Sequence, residues 1–108
     1  MAQSHNIKQE KAMTEKELYQ QKKQARLDEW DAEVDKLKAR TSGVSADAQL
    51  ALNRQIEVLE ARIKKGKTWL AEIEDASEDA WESIKGDVES AWDSITSGFS
   101  DAATKFNK

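Results

Sequence analysis

The apolar residues of this chain fall into three trains of helical spacing, and polar residues mark where each train stops. Leu27, Trp30, Val34 and Leu37 step by three, four and three, which is a heptad seam. Tyr19 lies eleven residues before Trp30 and extends the stripe loosely, across a polar stretch "QQKKQAR" where the seam is weak. The spacing predicts a helix from about Met13 to Arg40, preceded by residues 1–12. Those are polar and aperiodic apart from Ile7 and are expected to be a disordered lead-in.

"TSGVSAD" (41–47) is the best turn signal. Gly43 suits the left-handed conformation that ends many helices, and Ser45 can cap the next one, with Asp47 in its first turn facing the positive end of the dipole. So short a link sets the flanking helices antiparallel. In the second train Leu52, Ile56, Leu59 and Ile63 step by four, three and four, and after Gly66 the series resumes at Leu70 and Ile73. A fold at Gly43 sets Val34 opposite Leu52, Trp30 opposite Ile56 and Leu27 opposite Leu59, and brings Gly66 level with Tyr19. A glycine there costs about 1 kcal/mol of helix stability against alanine. Either it admits a bulky ring, that of Tyr19, or it is a tolerated weak spot in the seam.

The third train repeats every eleven residues, with Ala80-Trp81, Ala91-Trp92 and then Ala102-Ala103. Its stripe runs through Trp81, Ile84, Val88, Trp92, Ile95, Phe99, Ala103 and Phe106, while Glu82, Gly86, Glu89, Asp93, Ser97 and Asp101 occupy the other side. Eleven residues in three turns is about 3.67 per turn, close to a straight helix, so the stripe runs nearly along the axis. The start is ambiguous. Asp75 with Glu78 fits a capping box, yet nothing forbids the second helix from running straight into the third. The predicted organisation is residues 1–12 as lead-in, 13–75 as a helical hairpin turning at 41–45, and 76–108 as an amphipathic eleven-residue-repeat helix.

Composition narrows the class. The 108 residues hold 17 Lys and Arg, 21 Asp and Glu, four Gly and no Pro or Cys. That favours helix nearly everywhere and excludes disulfides and thiol chemistry. With 35% charged residues and a mean hydropathy of −0.84, the economical fold is all-α. It is an antiparallel coiled-coil hairpin plus a C-terminal amphipathic helix, closed as a three-helix bundle or a helical oligomer. No apolar run suits a signal peptide or a membrane span, which points to the cytoplasm. The acidity sits in residues 75–108, with three Lys against eight acids, and no basic face stands out to meet nucleic acid.

Chemistry is scarce. His5 is the sole histidine, the acidic run 72–82 lacks the spacing of a calcium loop, and "ARIKKGK" (61–67) lacks that of a phosphate loop. No catalytic, metal-ligating or cofactor-binding residue is expected, and no small-molecule substrate. The serines of 77–100 have no base partner. What must find a partner is the aromatic stripe, and a hairpin this short buries little apolar area against its chain entropy.

Arg26 onward, "RLDEWDAEVDKLKAR", the "ARIKKGKTWLAEIEDASEDAWESIKGDVESAWDSI" stretch and the terminal "AATKF" resemble a set of small bacterial coiled-coil proteins with repeated Ala-Trp units. The resemblance implies a helical protein of the bacterial cytoplasm and supplies no catalytic residues. The period alone is also similar to exchangeable apolipoproteins and late-embryogenesis-abundant proteins. The expected function is a structural or interaction protein that self-associates as a homo-oligomer through its apolar helix faces. The alternative is a peripheral, stress-related protein whose residues 77–106 lie on a membrane surface, although their acidity opposes anionic lipid.

Overall fold

The computed structural model describes residues 14–106, so the expected lead-in, with His5, lies outside the described residues. Three helices fill them: α1 (Glu15–Arg40), α2 (Ala46–Asp75) and α3 (Ala80–Phe106), with a 3-10 turn at Thr41–Gly43. The all-α expectation holds, and the third helix folds back on the hairpin.

Each corner has a local chemical cause. Thr14 opens α1 with a full capping box: its hydroxyl accepts from Glu17 N at 3.1 Å, and the Glu17 carboxylate accepts from Thr14 N at 3.0 Å. At the first corner Ser45 caps α2 as expected, accepting from Ala48 N. Gly43 does not do what its type suggests. No described residue has positive φ, because α1 winds down through the tighter 3-10 turn and then Val44 extends. Gln49 Nε2 ties this corner by donating to Thr41 O at 2.8 Å.

Helices α2 and α3 are not continuous. Ala76 leaves the helix with φ −80° and ψ 150°, and Ser77 Oγ accepts from Ala80 N at 3.1 Å. The cap is therefore Ser77, not the expected Asp75 and Glu78 box. Serine's short hydroxyl reaches the third amide ahead of it, which is what an N-cap requires. Lys16 Nζ, arriving from α1, donates to Ala76 O at 2.8 Å and holds this corner from outside.

The core is one cluster built from all three helices. Leu27, Trp30 and Val34 come from α1, Leu52, Ile56, Leu59, Ile63, Leu70 and Ile73 from α2, and Trp81, Val88, Trp92 and Ile95 from α3. Among the described residues no buried side chain is charged or polar in type. Backbones approach closely between α2 and each of its neighbours, whereas α1 and α3 meet mainly through long side chains. Between α1 and α2, Lys38 pairs with Glu60 at 2.7 Å and Asp31 with Lys67 at 3.2 Å. Both partners lie well beyond the residues that a level fold at Gly43 would set opposite. Side chains lean toward the N-terminus of their own helix. In an antiparallel pair the α1 chains therefore lean away from the turn and the α2 chains back toward it, so long charged groups meet along a displaced diagonal.

Candidate interaction surface

Two unlike interfaces flank α3. Against α2 the packing is tight and depends on glycine. A Cβ at Gly66 would stand 3.2 Å from Trp92 Cη2 and Cζ3, and one at Gly98 would stand 2.8 Å from Leu59 Cδ2 and 3.0 Å from Arg62 Nη1. Gly66 does admit a ring, but it is Trp92 and not the expected Tyr19. The glycine of α2 lies against Trp92, whereas the Tyr19 ring packs on Trp81 in the α1–α3 seam. Arg62 Nη1 donates to Ser94 O at 2.8 Å, and Gln55 Nε2 donates to Gly98 O at 3.3 Å. Helix backbone carbonyls are thus engaged across this interface.

Against α1 the packing is open and aromatic. Both helices run antiparallel to α2 and hence parallel to each other. The eleven-residue step from Tyr19 to Trp30 meets the equal step from Trp81 to Trp92, giving ring pairs at 5.4 Å and 6.2 Å between centroids. Phe99 adds a third contact, its ring nearly parallel to that of Trp30 at 6.2 Å between centroids. The polar stretch expected to weaken the α1 seam supplies its filler: Lys23 Nζ lies 5.2 Å from the Tyr19 ring centroid and 5.6 Å from that of Trp92, and pairs with Glu89 at 2.9 Å. The Tyr19 hydroxyl donates to the same Glu89 carboxylate. Burial first, then that bond and the Glu89 charge, push the Tyr19 phenol above its ordinary value. The Tyr19 and Lys23 hydrogen bonds hold the Glu89 carboxyl below the usual carboxylate range.

Because rings hold α1 and α3 apart, the seam is grooved. One open groove of about 380 Å³ is lined by residues including Tyr19, Lys22, Trp30 and Asp93. The next, about 320 Å³, runs past Glu33, Leu37, Phe99 and Ala103. On the other flank of α3 a groove of about 310 Å³ lies between Arg62, Lys65, Trp69 and the Ser90–Ser94 turn. These are clefts open to solvent, with no metal-ligating cluster among the described residues.

Of the fifteen residues singled out from sequence, eleven are buried: Leu27, Trp30, Val34, Leu52, Ile56, Leu59, Ile63, Trp81, Val88, Trp92 and Ile95. Leu37, Ile84 and Phe99 are half-buried at the edges, and the side chain of Phe106 lies outside the described residues. Ala103, placed on the stripe by its spacing, is exposed, and Ala102 is buried in its place. The reason is rotation. Eleven residues overshoot three turns of a 3.6-residue helix by about 20°. The first residue of each pair accordingly rolls inward, from exposed Ala80 through half-buried Ala91 to buried Ala102, while Trp81 and Trp92 give way to exposed Ala103. Trp69 falls outside the sequence pattern because it stands beside the main train, next to Leu70. Its recurrence with Arg62 and Lys65 at helical spacing marks a second, shallower face.

The fold and these interfaces define an all-helical, repeat-containing protein. Among known families, the model of the TMP repeat matches α3 twice, over residues 81–91 and 92–102. Each match starts at a tryptophan of the parallel seam, so the repeat coincides with one ring-to-ring step. No curated protein and no solved structure matches the chain.

Proposed function

We propose that this is a non-enzymatic structural or interaction protein of the bacterial cytoplasm that self-associates through apolar helix faces. The observation that carries the reading is the splayed α1–α3 seam. Its rim residues Leu37 and Phe99 remain half-buried, beside grooves that side chains of another helix would fill. Leu50 and Val58, 56% and 41% exposed on the outward side of α2, add apolar surface to the same purpose.

A second reading, membrane attachment, draws on α3 alone. If α3 left the hairpin, Trp81, Val88, Trp92 and Ile95 would form one apolar face suited to a lipid surface. Light-scattering mass and tryptophan emission, measured with and without neutral and anionic vesicles, separate the two. Self-association gives a multimeric mass and blue-shifted emission without lipid. A monomer whose emission moves only when vesicles are added would reverse the order.

A further inference from the structure

The buried residues of α2 and α3 belong to two helices folded against each other, yet they lie on a single line. Set on an uninterrupted helix, every buried position from Leu52 to Ala102 falls within an arc of about 120°. Across the corner the line reads Leu70, Ile73, Ser77, Trp81 and Ile84, in steps of three, four, four and three. The hydrophobic pattern therefore does not call for the break at residues 76–79. Nor does backbone chemistry, since "EDASED" holds no glycine or proline and the corner contains no positive φ. What bends the chain there is the Ser77 cap and the Lys16 bond to Ala76 O. In a straight helix both groups that these contacts satisfy, the Ala80 amide and the Ala76 carbonyl, would find partners four residues away.

The contacts between α2 and α3 are symmetric in a telling way. Leu59 with Gly98, Arg62 with Ser94 and Gly66 with Trp92 are spaced evenly about Glu78 and Asp79. A two-fold axis at that point would regenerate each of them between two straightened chains lying antiparallel. We propose that two copies of this chain associate by exchanging α3. Residues of α2 and α3 join into one long helix, and the α3 of each copy packs on the α1–α2 hairpin of the other. This rests on the self-association reading and gives it a mechanism. The partner is a second copy because this chain carries a surface already fitted to the α3 face: Gly66 of α2 admits Trp92, and Gly98 of α3 admits Leu59.

The same axis sets the acidic segments 74–79 of both copies on neighbouring antiparallel helices, with Glu78 nearest the edge of the contact. Like charges there favour the closed monomer at low salt, and screening over about 10 Å at 0.1 M relieves them. The exchanged dimer is therefore the high-salt, high-concentration form.

Two substitutions at the corner test the exchange by light-scattering mass over a range of concentration and salt, with helicity followed by circular dichroism. Glu78→Pro places proline at the first helical position after the Ser77 cap, which suits the corner, but it breaks a helix running through residue 78. It should weaken dimerisation about a hundredfold or more while leaving the monomer helical. Ser77→Leu removes the cap and completes the apolar line, and should strengthen the dimer about tenfold or more. If Glu78→Pro associates as tightly as the parent chain, exchange is refuted while association through outer faces survives. If neither the parent chain nor Ser77→Leu leaves the monomer at any salt, exchange and self-association are both refuted.

Discussion

A methyl group added at Gly98 would stand 2.8 Å from Leu59 Cδ2, inside ordinary non-bonded contact, and Leu59 is fully buried. At Gly86, on the solvent side of the same helix, the methyl would meet nothing within 4 Å. One substitution thus has opposite signs at two glycines of α3. Gly86→Ala should stabilise by about 1 kcal/mol through helix propensity. Gly98→Ala gains the same propensity but should be destabilising by about 1–2 kcal/mol net, since overpacking costs about 1–3 kcal/mol. Urea denaturation of the two variants checks the pair. Gly66 is the intermediate case, since its 3.2 Å neighbours are the edge of the Trp92 ring. The same ring carries a buried Nε1–H with no acceptor among the described residues. Trp92→Phe would remove that unpaired donor, worth about 1–3 kcal/mol, along with part of the packed ring. The two effects largely cancel, and a melting curve should show less loss than an aromatic truncation at a buried site ordinarily gives.

At the scale of elements, the residue types made the start of α2 and the face of α1 readable, and left the rest to tertiary packing. Ser45 was legible because its cap depends on the four residues 45–48 alone. The Ala76–Asp79 corner was not, because each of its residues tolerates helix and its decisive restraint, Lys16, comes from α1. The ring at Gly66 could be foreseen but not named, since Tyr19 and Trp92 compete for it only once α3 has a place. The seam that fixes that place carries a titratable contact. The carboxyl of Glu89 titrates lower in the folded chain than its ordinary 4.5, so its contribution to stability is present above that value. It is lost as pH falls through the depressed folded value. Tyr19, raised above its ordinary 10.0, acts in the opposite sense: its contribution is complete below that pH and fades as the solution becomes more alkaline. Glu89 is half exposed, so the effect is modest and weakened by salt. The melting temperature of Glu89→Gln should fall below that of the parent chain near neutrality, and the two curves should converge in acid.

The whole molecule depends on α3 for closure. Trp30 of α1 packs against Trp92 and Phe99, and Gly66 of α2 lies beneath the Trp92 ring, so the hairpin alone would present these surfaces to water. Each large side chain so exposed forfeits about 1.5–3 kcal/mol, a large fraction of the stability of a domain this size. A chain ending at Asp75 should therefore fail to melt cooperatively as a monomer, and should either lose helicity or associate. Circular dichroism and sedimentation of the truncated chain distinguish this from an autonomous hairpin with α3 as an accessory. Amide exchange in the full chain supplies the complementary measure. The slowest amides should cluster where glycine brings α2 and α3 together, around Leu59–Gly66 and Val88–Gly98, because opening there requires the core to separate. The amides of the α1 segment flanking Lys23, supported by rings and one ion pair on the open seam, should exchange faster. If α1 proved the best protected helix, the aromatic seam and not the glycine interface would be what holds the bundle closed, and α2 and α3 would have no tight interface for a second copy to inherit.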